Sequence, residues 1–207
     1  MFKDSFSEGI PQMRWMFFPH YFGDNIGGEV DHLSIDGDGG SGVLRNSNAG
    51  GFAALSYMVT PMATDFFVEA HVFCNPNQGE RGPISGLAFL VDPYEGKFYR
   101  FVCNFNSKNP SFNVAYVGSD TRHFPVYLRF WPAIEVLGEF PKKGSFYKFG
   151  ILVKKGKARF FLNGMKLVGE VDTSRVKKGF VGVYANFVGG LGNAETKVDA
   201  FTLRIDR

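Results

Sequence analysis

The sequence predicts an all-β fold, a two-sheet antiparallel sandwich forming one domain over residues 1–207. Three observations carry that expectation. Apolar and polar side chains alternate with a period of two along much of the chain, whereas no stretch of ten or more residues holds a helical period. The 24 Phe favour strands, because large flat side chains fit a pleated, half-buried surface. The 26 Gly supply tight turns between many short strands. So many antiparallel strands need a second sheet to cover their apolar face, and 207 residues is an ordinary size for such a sandwich.

The elements follow in order. In Asp65 to Cys74, DFFVEAHVFC, alternation places Phe66, Val68, Ala70, Val72 and Cys74 on one side and Phe67, Glu69, His71 and Phe73 on the other. A loop of turn formers, Asn75 to Pro83, leads to a second strand at Ile84 to Val91. Lys97 to Phe105 is a third, with Phe98, Arg100, Val102 and Asn104 on its more polar face. From Ser145 to Val171, Lys155-Gly156 and Asn163-Gly164 separate three β-rich runs, which predicts a meander. Asn-Gly between apolar runs is a strong hairpin signal because both central residues must take positive φ. Gly179 to Asn186 and Lys197 to Ile205 are the last strands. There is no internal repeat, linker or composition break.

Composition also excludes. A net charge of +3, with no Lys/Arg run longer than two, is no electrostatic footprint for nucleic acid. No apolar run approaches the roughly 18 residues that span a bilayer. The start, with Asp4 and Glu8 among its first residues, lacks a basic-then-apolar leader pattern, leaving a cytoplasmic protein and a mature secreted domain both open. Cys74 and Cys103 are too few for a disulfide scaffold, and two buried thiols are preferred over a disulfide or reactive pair. His20, His32, His71 and His123 are scattered without zinc spacing, and no Gly-x-Ser-x-Gly elbow, P-loop or dinucleotide fingerprint is present.

The succession DFFVEAHVF, GLAFL, KFYRF, the YKFGILV and ARFFLNGMKL hairpin, GFVGVYA and VDAFTLRI resembles the concanavalin A-like lectin/glucanase superfamily. The likeness is greatest to laminin G-like jelly rolls and to uncharacterised glycosyl hydrolases. It covers Asp65 to Ile205, with an added N-terminal strand at Met1 to Phe6. The resemblance implies a jelly-roll sandwich and an oligo- or polysaccharide partner, bound on a concave sheet. It does not imply a reaction, because this fold serves lectins, carbohydrate-binding modules, glucanases and lyases alike. The glucanase signature Glu-x-Asp-x-x-Glu is incomplete: Glu29-Val-Asp31 and Glu170-Val-Asp172 lack the third acid, Ser34 and Arg175 standing in its place. Both pairs are read as strand-edge or turn residues. Ile84-Ser85-Gly86-Leu87-Ala88-Phe89 lacks the Asn and Arg of the keto-disaccharide hydrolase pattern, and the alginate-lyase pattern is missing too.

Two ligand constellations remain. Arg122, His123, Tyr127 and Trp131, from the segment DTRHFPVYLRFW, together with Arg100 and Asn104, form a candidate saccharide site, in which aromatic faces stack on sugar rings and polar groups meet hydroxyls. The alternative reading has Tyr127 and Trp131 covering a core edge. Arg14 to Phe22, RWMFFPHYF, reads either as a strand capping the sandwich or as a wall of the cleft. By the resemblance, Asp4 and Asp199 could hold a structural calcium. Alternation puts Asp199 on the inward face with Phe201, Leu203 and Ile205, and the competing reading is that it accepts hydrogen bonds at a strand end. DGDGG, Asp36 to Gly40, reads as a tight turn rather than a calcium loop. The expected function is therefore a lectin-like carbohydrate-binding domain. One alternative is a glycosidic-bond enzyme using acids such as Glu69, Asp92, Glu95 or Asp120, and another is a structural or protein-interaction domain.

Overall fold

A computed structural model describes residues 1–4, 15–20, 30–35, 42–46, 52–58, 60–74, 84–105, 109–121, 125–142, 144–187 and 194–206, with backbone alone for 4–58. The first strands are β1 (Phe2–Asp4), β2 (Trp15–His20), β3 (Val30–Ile35), β4 (Gly42–Asn46) and β5 (Phe52–Met58). Then come β6 (Phe66–Cys74), β7 (Ile84–Asp92), β8 (Lys97–Asn104), β9 (Ser111–Val117) and β10 (Val126–Pro132). A five-residue helix α1 (Ala133–Leu137) follows, and then β11 (Ser145–Lys154), β12 (Lys157–Leu162), β13 (Met165–Lys166) and β14 (Val171–Asp172). The last two strands are β15 (Phe180–Phe187) and β16 (Ala194–Ile205). All pairings are antiparallel.

Among the described residues, a nine-stranded sheet runs β13-β12-β11-β6-β16-β4-β3, with β1 on β16 and β14 on β12. A seven-stranded sheet runs β10-β9-β8-β7-β15-β5-β2. This is the predicted all-β two-sheet sandwich. The RWMFFPHYF segment supplies β2, the end strand of the second sheet, whose side chains lie outside the described residues, as does the DGDGG turn. No described helix is long and apolar enough to cross a membrane.

Strand β6 shows why the layers pack. Phe66, Val68, Ala70, Val72 and Cys74 are all buried while the residues between them are half-buried, as alternation predicts. Between the sheets an aromatic core forms, with Phe101 at 4.9 Å from Phe149 and 5.1 Å from Phe160, ring centre to ring centre. Each such buried ring contributes about 1.5–3 kcal/mol relative to an exposed one. The predicted meander is β11-β12-β13. Lys155-Gly156 takes φ of 51° and 72°, and Asn163-Gly164 takes 50° and 81°, the twist that matches a two-residue hairpin.

Two expectations are corrected here. Cys74 and Cys103 are not free thiols but a disulfide, with Cα atoms 6.7 Å apart. Alternation had placed both inward. What it could not show is that β6 and β8 belong to different sheets and face each other at these residues, so that the bond staples one layer to the other. Nor does Asp199 share the inward face. The pairing shifts between Asp199 and Thr202, with Ala200 at φ 50°, so an extra residue on β16 forms a bulge. Thr196 and Val198 point in before it and Phe201 and Leu203 after it, which leaves Asp199 only half-buried.

Candidate functional site

The side chains of β7, β8, β9 and β15 that do not enter the core form the outer face of the seven-stranded sheet, and strand pairing sets them in rows. One row is Gly182, Ala88, Arg100, Ala115 and Tyr127. The next is Tyr184, Gly86, Val102, Asn113 and Phe130. Asn104, half-buried, extends the face beside Ser111. Small residues beside Arg100 and Tyr184 make room for these two large side chains. Gly86 has no alternative, since a Cβ there would lie 2.6 Å from the Val102 Cα.

The face is buried at its centre and open at one flank. Arg100 is 1% exposed and Asn113 3%, among Ala88, Phe98, Val102, Val117 and Tyr184. On edge strand β10, Tyr127 and Phe130 are each 57% exposed. Arg100 donates a hydrogen bond from Nη1 to the Tyr184 hydroxyl, and its guanidinium carbon lies 4.9 Å from that ring's centre. Burial pushes the Tyr184 phenol up, while the Arg100 charge works in the opposite direction. Among the described residues no carboxylate pairs with Arg100. Among the described residues its Nε has no hydrogen-bond partner, and neither has Asn113 Oδ1. A buried charge or amide without partners is costly, so such groups in a native fold need an explanation.

Of the sequence-predicted ligands, Arg100, Asn104 and Tyr127 do share this face; Arg122 and His123 lie outside the described residues. Trp131 is a correction. A bulge between Tyr127 and Arg129 gives β10 an extra residue. Tyr127 therefore points out, while Trp131, opposite Phe112, turns toward the core, packing on Phe101 and Phe160. Its Nε1 donates to the Val168 carbonyl at 3.0 Å, tying the end of this sheet to the chain beyond β13. The same bulge puts Phe130, which sequence reasoning missed, beside Tyr127. Asn113 and Tyr184 were also missed, though alternation in SFNVAYV and FVGVYAN already separates them from the core positions.

The acids considered for catalysis have structural partners. Glu69 pairs with Lys148 at 2.8 Å and Glu95 with Lys97 at 2.6 Å. Asp92 Oδ1 accepts the Tyr94 and Glu95 amide hydrogens, and Asp120 accepts the Tyr116 hydroxyl. Glu170 is held below the usual carboxylate range by its hydrogen bond from Arg159, and Asp172 by hydrogen bonds from Ser174. Both directions favour the ionised form at neutral pH. For calcium there is little to build on. Asp4 pairs through its backbone with Phe201, two residues beyond Asp199. Asp199 Oδ1 accepts the adjoining Ala200 N–H at 2.6 Å, at the bulge within β16 rather than at a strand end. The described residues contain no group of three or more His, Cys, Asp or Glu able to hold a metal.

No protein-family model and no curated protein matches the sequence. Solved structures do match, along nearly its whole length. The carbohydrate-binding module CBM66 from Bacillus subtilis aligns at a TM-score of 0.61 and 11% identity, over 93% of this chain and 96% of that one. A glycoside hydrolase family 16 endo-glucanase from Bacteroides ovatus aligns at 0.61 and 13%, over 98% and 99%. A protein of unknown function with a galectin-like fold, also from Bacillus subtilis, aligns at 0.64 and 10%, over 100% and 97%. At such identities the likeness is one of fold alone, the two-sheet antiparallel β-sandwich that these solved structures share with this chain.

Proposed function

We propose, taking this fold as the premise, that the chain is a carbohydrate-binding domain whose outer seven-stranded face receives an oligo- or polysaccharide. The observation that carries the reading is the conjunction on one face of two exposed aromatic rings with two buried polar atoms that have no hydrogen-bond partner among the described residues. Tyr127 and Phe130 stand open on neighbouring rows, while Arg100 Nε and Asn113 Oδ1 lie on the same rows one or two strands inward. Sugar rings present an apolar C–H face to an aromatic ring and hydroxyls to buried polar groups. Asn104 adds an amide on the same side. The fold neighbours, which include a carbohydrate-binding module and a glucanase, support a saccharide as the ligand class.

A glycan array followed by calorimetry on the wild type, Tyr127→Ala and Asn113→Ala tests it. The expected result is a saccharide that binds the wild type, survives long incubation uncut, and binds each variant about tenfold or more weakly, the equivalent of about 1.4 kcal/mol. Release of shorter products would replace this reading with that of an enzyme. Failure of every saccharide to bind would remove it.

A further inference from the structure

A second recess opens on the other side of β10, between the two sheets. It holds about 320 Å³, and Tyr99, Arg129, Asp172, Ser174 and Arg175 are among its walls. Tyr99 comes from the core, its ring stacked on Phe89 and packed against Tyr116. The residue is 0% exposed, yet its hydroxyl has no hydrogen-bond partner. Burial pushes the phenol up to about 12; the Arg175 and Val176 backbone N–H groups and the Arg175 charge offset part of that rise, but an amide N–H only donates, so none of them accepts the phenol's proton. At neutral pH it is therefore a donor without an acceptor.

Two guanidinium groups stand beside it. Arg175 lies over the Tyr116 ring, its guanidinium carbon 4.8 Å from the centre. Arg129 directs Nε and Nη2 at the Glu170 carbonyl, at 3.3 and 3.2 Å. Neither pairs with a carboxylate among the described residues. The two acids in the wall are already engaged: Glu170 by Arg159 and Lys157, and Asp172 by the Ser174 N–H at 2.8 Å. From Lys142 to Lys178 the chain carries eleven of its 23 Lys and Arg but only two acids, Glu170 and Asp172.

A pocket that joins a hydroxyl without an acceptor to two guanidiniums without carboxylate partners complements a group that only accepts. We infer that this recess binds a small oxyanion, a phosphate or a carboxylate, through the Tyr99 hydroxyl and the Arg129 and Arg175 guanidiniums. The site is separate from the saccharide face and does not depend on it. Arg suits the role because its planar fork matches both oxyanions.

Titration calorimetry on the whole chain tests this, with inorganic phosphate, glucuronate and neutral glucose as probes. Tyr99→Phe removes one oxygen and Arg175→Gln one charge. Saturable binding of phosphate or glucuronate is expected, weakened about tenfold or more in each variant and unchanged in Tyr127→Ala. Binding of phosphate alone identifies a phosphate site, and binding of glucuronate alone a carboxylate site. Tyr99→Phe should melt at or above the wild-type temperature, since it loses a hydroxyl with no partner, so weak binding by that variant would not reflect misfolding. Binding of neither anion, or binding by both variants as tight as by the wild type, would overturn the proposal.

Discussion

Strands β6 and β10 are both rich in aromatic residues, yet β6 alternates along its sequence and β10 does not, and they behave differently in the fold. Along β6 every second residue is buried from Phe66 to Cys74, because a neighbour on each side, β11 and β16, holds its pleat. Strand β10 is an edge strand with β9 as its one neighbour, and its pairing shifts by a residue between Tyr127 and Arg129. Alternation is therefore a guide to facing only where the pleat is unbroken, as along β6, and it fails wherever a bulge intervenes, on interior strand β16 as on β10 at the sheet's margin. The candidate site lies at that margin. Tyr127 and Phe130 face outward together only because of the bulge, and Trp131 leaves the site for the same reason.

The sharpest way to break the comparison is to cut the link between the layers that β6 provides. Replacing Cys74 and Cys103 together by Ala should cost about 3–4 kcal/mol, given the 29-residue separation they close, measured by denaturant unfolding. An unchanged midpoint would mean that the bond contributes nothing to the folded state.

Next in size is Trp131→Ala set against Tyr127→Ala. Losing the half-buried indole, with its ring contacts and its hydrogen bond to Val168, should cost about 2–3 kcal/mol. Tyr127→Ala should stay within about 0.5 kcal/mol of wild type while weakening saccharide binding. If the stability effects were reversed, the inward and outward assignments on β10 would be wrong.

The bulge on β16 offers a smaller test. Ala200 sits at φ 50°, where a side chain is disfavoured, so Ala200→Gly should raise stability by up to about 1 kcal/mol in the same experiment. Destabilisation instead would indicate that the residue is not in a left-handed bulge.

The smallest effect concerns pH. Arg159 depresses the Glu170 carboxyl below its ordinary 4.5. A group whose folded value is lowered contributes stability that is present above 4.5 and lost as the pH falls through the folded value. Glu170→Gln should therefore be slightly less stable than wild type at pH 7, with the gap closing below pH 4.5, as thermal melts across that range would show. Because the pair is exposed, salt should also shrink the gap.

The local physics was legible in the residues themselves. Alternation marked the core faces of β6 and β8, and Lys155-Gly156 and Asn163-Gly164 marked the hairpin turns, because these depend on neighbours one or two positions away. It also set Arg100 and Asn104 on the non-core side of their strand, although nothing in the run KFYRFVCN says that this side would bury Arg100 without a counter-charge. Three outcomes depended on the tertiary structure: the bond between Cys74 and Cys103, the bulges that turn Trp131 and Asp199, and the meeting of Tyr99 with Arg129 and Arg175 from three separated segments. Each depends on which strand lies beside or across from which, and at what register. That is a property of long-range pairing between residues tens of positions apart, and no local pattern in the chain encodes it.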